Sequence, residues 1–250
     1  MKWIILDIDG CISPEESVAW DFAAFAEFVR LSREASAGRG DLPPFTLCTG
    51  RPQPYVEALT KILDITAPAI CENGAVFYTL PDNRSSYGPG VTQEKIEGLR
   101  AVRTFIEHEI LPGQPEILYQ FGKEAQLSVY SEKPELFGEA QRRIEEFVEA
   151  EGLPRLCITV SHYYLNISLE GIDKGVALSA LLREVGADRS EAAGVGDTEG
   201  DLPLREATGF FACPANAKPA IRAVADYVSP YPNIQGVLDI LKHPGLRKSG

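Results

Sequence analysis

The stretch Trp3-Ile4-Ile5-Leu6-Asp7-Ile8-Asp9-Gly10 joins a short apolar run to two carboxylates and a glycine. The apolar run is typical of a parallel strand that is buried on both faces. Because side chains alternate along an extended chain, Asp7 and Asp9 project to one side and Ile8 to the other. Ligands of open α/β sheets bind beyond the carboxyl ends of the strands, where Gly10 lets the backbone turn away. The stretch therefore predicts a polar site, although Asp-x-Asp-Gly on its own is more often a plain strand end and turn.

The composition narrows the class of protein. A chain of 250 residues holds one large domain or two modest ones, and its 44% of hydrophobic residues is ordinary for a globular protein. The net charge of −12 argues against nucleic-acid binding, so an anionic substrate must be captured by local positive groups. No apolar stretch is long enough to span a membrane, and the N-terminus lacks the pattern of a secretory signal. Five widely spaced cysteines without a CxxC pair indicate reduced thiols. We therefore expect a cytoplasmic protein that binds neither nucleic acid nor membrane, and we leave monomer or homodimer open.

Strand and helix patterns alternate along both ends of the chain. Apolar runs near residues 45–48, 68–71, 192–196 and 209–213 follow the first strand, with helical periodicity between them. This alternation predicts an α/β core with a Rossmann-like parallel sheet. Several of the runs end in polar residues, which the sheet would gather at one edge: Asp7 and Asp9, Thr49, Asn73, and Asp197 with Asp201. Lys174 stands at a predicted helix start.

The middle of the chain has a different order. Residues 81–90 are polar and rich in turn formers, which predicts a loop, and the segments after them follow the order helix, strand, strand twice over. We therefore predict an inserted α+β domain at residues 82–168, flanked by the two halves of the core at 1–81 and 169–250.

The close spacing of the two carboxylates allows either a shared proton or a bound metal ion. Two carboxylates as close as Asp7 and Asp9 repel each other unless a proton or a cation intervenes. A hard cation with oxygen ligands, such as Mg²⁺, meets that need. The three histidines are scattered and form no ligand pattern.

Taken together, these motifs resemble the haloacid dehalogenase superfamily of phosphotransferases, over the whole chain. The matching stretches, in family order, are Asp7-Ile8-Asp9-Gly10, Thr49-Gly50-Arg51, Asp173-Lys174-Gly175 and Gly196-Asp197-Thr198-Glu199-Gly200-Asp201. The insert after Glu72-Asn73-Gly74, and the later stretches around Asn216 and Gly236, look like the type IIB cap subclass. Two positions depart from the pattern: Cys11 stands where Thr is common, and Gly200 where Asn is common.

The resemblance implies a role for each motif. Asp7 would be the nucleophile that forms an aspartyl-phosphate, and Asp9 the general acid and base. Mg²⁺ would be held by Asp7, the backbone carbonyl of Asp9, Asp197 and Asp201. Thr49 and Lys174 would bind the phosphate. The full set of implied substrate-binding residues is Gly10, Thr49, Gly50, Arg51, Asn73, Lys174 and Asn216. Taken singly, Thr49 also fits a helix cap, Lys174 a solvated charge, and Asn73 and Asn216 plain turn or cap residues.

We therefore expect a Mg²⁺-dependent phosphatase of a small phosphorylated metabolite, either a sugar phosphate or a phosphoglycerate- or phosphoglycolate-like acid. A phosphomutase of the phosphomannomutase type and a non-enzymatic ligand-binding protein on the same fold are the alternatives. The inserted domain would set specificity, with these candidates for that role: Lys123, His162, Tyr163, Tyr164 and Asn166.

Overall fold

The first strand lies inside a five-stranded parallel sheet, as its double-sided apolar pattern predicts. The computed structural model describes residues 1–14, 18–161 and 163–248. In chain order its main helices and strands are β1 (Trp3–Leu6), α1 (Phe22–Ser36), β2 (Phe45–Leu47), α2 (Gln53–Leu63), β3 (Ala69–Cys71), β4 (Val76–Thr79), β5 (Arg84–Tyr87), α3 (Gln93–Phe105), β6 (Leu118–Tyr119), β7 (Gln126–Tyr130), α4 (Phe137–Ala150), β8 (Leu156–Ser161), β9 (Tyr164–Leu169), α5 (Lys174–Glu184), β10 (Ala192–Val195), α6 (Leu202–Glu206), β11 (Phe210–Cys213), α7 (Pro219–Val224), β12 (Tyr227–Val228) and α8 (Asn233–Ile240).

The parallel sheet has the strand order β12-β11-β10-β1-β2. Strand β1 pairs with β10 on one side and β2 on the other, so Leu6 lies level with Val195 and Leu47. Ile5 is fully buried in a core that includes Leu178 of α5 and Phe211 of β11. Burial of each such side chain stabilises the fold by about 1.5–3 kcal/mol. This register places the ends of β1, β2 and β10 side by side and confirms the predicted α/β class with a parallel sheet.

A second, antiparallel sheet follows β2. Strands β3, β4 and β5 form a three-stranded sheet, and a single bridge between Cys48 and Ile70 joins it to the end of β2. Strand β5 lies in the segment for which the sequence predicts a loop, and its four side chains are exposed. It carries no apolar alternation, so its strand character comes from pairing with β4 rather than from its own pattern.

The chain divides into two units, one made of Met1–Pro89 with Asp173–Gly250 and the other of Gly90–Ile172. The prediction places the insert at 82–168, so β5 falls in the first unit rather than in the insert. The inserted unit holds a four-stranded antiparallel sheet of order β6-β7-β9-β8, together with α3 and α4. The rings of Phe105 and Phe147 stack at 4.3 Å between these two helices. No helix among the described residues is long and apolar enough to cross a membrane.

Candidate active site

The nucleophile candidate Asp7 is the first residue after β1. Its backbone N–H donates to Val195 of the neighbouring strand (2.9 Å), which keeps the chain extended as it leaves the sheet. Its side chain is buried, with one carboxylate oxygen accepting from the Ile8 backbone N–H (2.8 Å) and the other lying 3.0 Å from Lys174 Nζ. Burial raises the pKa of the Asp7 carboxyl to about 7: Lys174 opposes the rise, and Asp201 and Asp9 add to it.

Lys174 is the first residue of α5, a helix capped by the Asp173 carboxylate, which accepts from the Val176 backbone N–H. Its ammonium lies between two carboxylates, 3.0 Å from Asp7 and 2.7 Å from Asp201. Burial alone would lower the pKa of Lys174, but Asp201 and Asp7 outweigh it and hold that pKa well above its ordinary value. Lys174 is therefore a permanent buried cation, and a solvated helix charge is excluded.

Three carboxylates converge beside this lysine. Oxygen atoms of Asp7, Asp197 and Asp201 lie within 4.8 Å of one another, and all three residues are buried. When all three carboxylates are ionised, they and the Lys174 ammonium together carry two excess negative charges, which a divalent cation would balance. Its ligand atoms are carboxylate oxygens, the donors that Mg²⁺ prefers. The residues present therefore fit a bound magnesium ion.

Two glycines allow the carboxylates to approach. A Cβ on Gly10, whose φ is +70°, would lie 1.9 Å from Asp197 Oδ2. A Cβ on Gly196 would lie 2.4 Å from Asp201 Cγ. At Gly200, where the family often has Asn, a Cβ would meet nothing closer than 3.5 Å. The departure at Gly200 thus leaves the carboxylate cluster intact.

Asp201 accepts hydrogen bonds both from the loop that follows β10 and from the Lys174 side chain. One carboxylate oxygen accepts from Lys174, and the other accepts from the backbone N–H groups of Asp197 (2.9 Å) and Thr198 (3.1 Å). Both oxygens are thus engaged within the protein. This arrangement favours Asp201 as the residue that orients Asp197 and Lys174.

Asp9, two residues after Asp7, pairs with a different cation. Its two carboxylate oxygens accept from Arg51 Nε (2.7 Å) and Nη2 (2.5 Å). The Arg51 guanidinium also lies over the Tyr55 ring, 5.1 Å from the ring centre. The sequence places Asp9 and Arg51 in one site but does not predict this pair, because nothing in either motif encodes the partner.

The loops after β2 and β3 are bonded to each other. The Asn73 backbone N–H donates to the Thr49 carbonyl (2.9 Å), and the Glu72 N–H donates to the Arg51 carbonyl (3.1 Å). Glu72 and Asn73 both have positive φ, at 49° and 55°. The Asn73 side chain lies against Gly50, where an added Cβ would meet its amide at 3.2 Å. The sequence did not lead us to predict that Glu72 is buried beside these loops. Its position directly before Asn73-Gly74 was the signal that could have indicated this.

Asn216 braces the backbone of the first loop. Its Nδ2 donates to the Gly10 carbonyl (2.9 Å), and its Oδ1 accepts from the Asn233 backbone N–H (2.7 Å). These bonds favour a bracing role for Asn216 over the direct substrate contact predicted for it.

The candidates in the inserted unit lie around its sheet. Lys123 Nζ donates to Gln126 and Ser128 of β7, both at 2.9 Å, and Ser128 donates to Asn166 of β9 (2.7 Å). The exposed rings of Tyr163 and Tyr164 lie beside Tyr130. His162 lies outside the described residues.

Known proteins resemble the chain over nearly its whole length. A family model of haloacid dehalogenase-like hydrolases matches residues 109–241, more than half of the chain. A phosphoglycolate phosphatase of Thermoplasma volcanium is 26% identical over 250 residues, covering 97% of this chain and 98% of its own length. A phosphoglycolate phosphatase of Archaeoglobus fulgidus is 25% identical, covering 98% of this chain and 97% of its own length.

Solved structures share the fold. A crystal structure of a Thermoplasma acidophilum protein superposes with a TM-score of 0.73 at 22% identity, covering 97% of each chain. A sugar phosphatase of haloacid dehalogenase subclass IIB superposes with a TM-score of 0.66 at 16% identity, covering 98% of this chain and all of that one.

The chain therefore belongs to the haloacid dehalogenase-like hydrolases. The predictions of this family, of its fold class and of a phosphatase-type enzyme are confirmed.

Proposed function

We propose that this enzyme is a Mg²⁺-dependent phosphatase that hydrolyses a small phosphorylated metabolite through an aspartyl-phosphate. The observation that carries the proposal is the buried Asp7 carboxylate at the end of β1, which lies beside the Lys174 ammonium and close to the carboxylates of Asp197 and Asp201. A carboxylate that is held in a fixed position can act as the nucleophile on a phosphate ester when nearby positive charge offsets the negative charge of the phosphate.

Asp7, Asp197 and the Asp9 backbone carbonyl would hold the Mg²⁺ ion. Asp201, which already binds Lys174 and the loop backbone, would act on the ion through water or through Asp197. When bound, Mg²⁺ supplies the positive charge that lets a carboxylate approach an anionic phosphate.

The protein's own groups then carry the reaction. A carboxylate oxygen of Asp7 attacks phosphorus, the bond from phosphorus to the leaving oxygen breaks, and Asp9 gives that oxygen its proton. In the second step Asp9 takes a proton from water, which attacks phosphorus and releases phosphate from Asp7. Lys174 favours the ionised form of Asp7 against the effect of burial and orients its carboxylate, and Thr49, buried at the end of β2, hydrogen-bonds a phosphate oxygen.

The substrate class is a small phosphorylated acid such as phosphoglycolate, or a sugar phosphate. The similarity to phosphoglycolate phosphatases over the full chain supports the first, and the shared fold with a sugar phosphatase is compatible with the second. The inserted unit, with its polar Lys123–Ser128–Asn166 group, would set specificity.

All five cysteines are free thiols, and this supports a cytosolic location, which cell fractionation would test.

The test is phosphate release from a panel of phosphoglycolate, phosphoglycerates and sugar phosphates, with Mg²⁺ or with EDTA. We expect release that EDTA abolishes and that falls at least about a thousandfold in Asp7→Asn, since the nucleophile is lost. Asp64→Asn is the matched control, because Asp64 is exposed and has a φ of 57° that Asn tolerates. Full activity of a folded Asp7→Asn enzyme would exclude the aspartyl-phosphate mechanism.

A further inference from the structure

Strand β8 lies at one edge of the antiparallel sheet in the inserted unit, which has the order β6-β7-β9-β8. It is six residues long, the longest strand at any sheet edge in the described part of the chain. Edge strands that stay free are usually protected by a charge, a proline, a bulge or a very short length. The sequence of β8, Leu-Cys-Ile-Thr-Val-Ser, has no charge and no proline, and its pairing with β9 contains no bulge. Its outer edge is therefore open to a further strand.

The pairing of β8 with β9 shows which backbone groups face that outer edge. The Glu170 N–H donates to the Arg155 carbonyl (3.2 Å), and this hydrogen-bonded pair directly continues the ladder of the two strands. Hydrogen-bonded and non-hydrogen-bonded pairs alternate along an antiparallel ladder, so every second residue after Arg155 bonds to β9. The residues between them, Leu156, Ile158 and Val160, turn their N–H and C=O groups outward. No strand in the described part of the chain pairs with these groups.

The same three residues also border an apolar surface. Leu156 and Ile158 line an open groove of about 440 Å³ together with Leu153 and with Val148 of α4. The side chain of Val160, the next residue on this face of the strand, is exposed. A strand that adds to this edge would therefore gain apolar contact as well as backbone hydrogen bonds.

The spacing of the outward groups makes β8 complementary to a second copy of itself. If two β8 strands run antiparallel about a two-fold axis, Ile158 faces the partner's Ile158, and Leu156 faces the partner's Val160. Every outward N–H and C=O group then has a partner, which gives about six hydrogen bonds across the axis. Because this axis is perpendicular to the sheet, the apolar grooves of the two copies lie on the same side and meet there.

We propose that β8 is the interface through which two copies of this chain form a homodimer, with the four strands of each copy joined in one antiparallel sheet. Backbone hydrogen bonds supply the affinity, and the Ile158 pair on the axis sets the register. The contact is short, so the dimer should dissociate at roughly micromolar concentration. Each chain carries a net charge of −12, so added salt, which screens the repulsion between copies, should strengthen the dimer.

The first test measures the mass of the full-length protein by sedimentation velocity over a range of concentrations. Wild type is expected to shift from 27.3 kDa toward twice that mass as concentration rises. Val160→Lys places a charge on each side of the axis and should raise the dissociation constant at least about tenfold. Leu118→Lys is the matched control, because Leu118 lies on the opposite edge strand β6 and is 53% exposed, against 52% for Val160. It should dimerise as wild type does.

The second test uses a disulfide to report the register. In the proposed dimer Cys157 faces the partner's Thr159 in a non-hydrogen-bonded pair, with Cα atoms about 4.5 Å apart, which suits a disulfide. Two Cys157 residues lie on a diagonal about 7–8 Å apart, which is too far. Mild oxidation should therefore link Thr159→Cys into a covalent dimer and leave wild type unlinked, since the other four cysteines are buried. Thr159→Cys combined with Cys157→Ser is the control and should also stay unlinked.

The two tests separate the dimer from its proposed interface, and neither depends on phosphate release. Wild type that keeps a mass of 27.3 kDa at every concentration would overturn the homodimer. A dimer that Val160→Lys leaves intact, or that Leu118→Lys weakens equally, would overturn β8 as its interface. A dimer in which oxidation fails to link Thr159→Cys would overturn the register and the strand pairing. A second protein species bound at β8 in place of another copy of this chain would overturn the choice of partner.

Discussion

Replacing Asp7 by Asn should stabilise the metal-free protein at the same time as it abolishes turnover. Burial holds the pKa of Asp7 at about 7, well above its ordinary value of 3.8, with Asp201 and Asp9 adding to the effect and Lys174 opposing it. Because the folded-state pKa lies above that of the unfolded chain, the folded protein retains a proton that the unfolded chain releases between pH 4 and 7. Stability from this group is therefore present below pH 4 and is lost as the pH rises through about 7.

The size of the effect follows from the difference between the two pKa values of Asp7. Each pH unit between the two pKa values is worth about 1.4 kcal/mol, so ionised Asp7 costs the metal-free fold at most about 4 kcal/mol at pH 8. Asn is neutral at every pH and nearly the same size as Asp. We therefore expect Asp7→Asn to be more stable than wild type by about 1–4 kcal/mol at pH 8, and by much less at pH 4.5.

The assay is urea denaturation of both proteins in EDTA at the two pH values, with the difference in unfolding free energy taken at each. The exposed Asp64→Asn variant serves as control and should follow wild type. Addition of Mg²⁺ should close the gap at pH 8, because the ion binds the wild-type carboxylate more tightly than the amide. If Asp7→Asn were less stable than wild type by the same amount at both pH values, the reasoning from burial and charge would be refuted.

Three further predictions concern the same cluster. Lys174→Met should lower the free energy of unfolding by about 3 kcal/mol or more at neutral pH, because it removes the ammonium that pairs with the buried carboxylates of Asp7 and Asp201. Denaturation midpoints measure this loss, and an unchanged midpoint would contradict the prediction. Gly10→Ala should reduce the thermal stabilisation by Mg²⁺ more than Gly38→Ala does. Both glycines have φ near +70°, but an added Cβ clashes with Asp197 only at Gly10. Equal losses in the two variants would argue against Asp197 as a metal ligand. Asp197→Asn should weaken the activation of phosphate release by Mg²⁺ about tenfold or more, measured by metal titration, and an unchanged titration would remove this residue as a ligand.

The sequence carried the strongest signals where a property is local. An apolar run such as β1 is buried on both faces whatever follows it, and the polar residues at its end must then lie at the edge of the sheet. The helix start at Lys174 was likewise visible, because its cap is the preceding residue, Asp173. The sequence predicts an insert from a change in pattern, whereas that pattern gives no sign of β5, a polar edge strand defined by pairing with β4.

By itself, then, the sequence determined the alternation of strands and helices in the core, its parallel sheet and the set of residues that meet at the edge of that sheet. These depend on local pattern and on the rule that ligands lie beyond the carboxyl ends of parallel strands. The tertiary structure alone decided which side chains pair within that set: Arg51 with Asp9, Lys174 with both Asp7 and Asp201, and Asn216 with the Gly10 backbone. The physical reason is that such pairs form across separate loops, where distances of a few ångströms depend on strand register and backbone turns that no single stretch encodes.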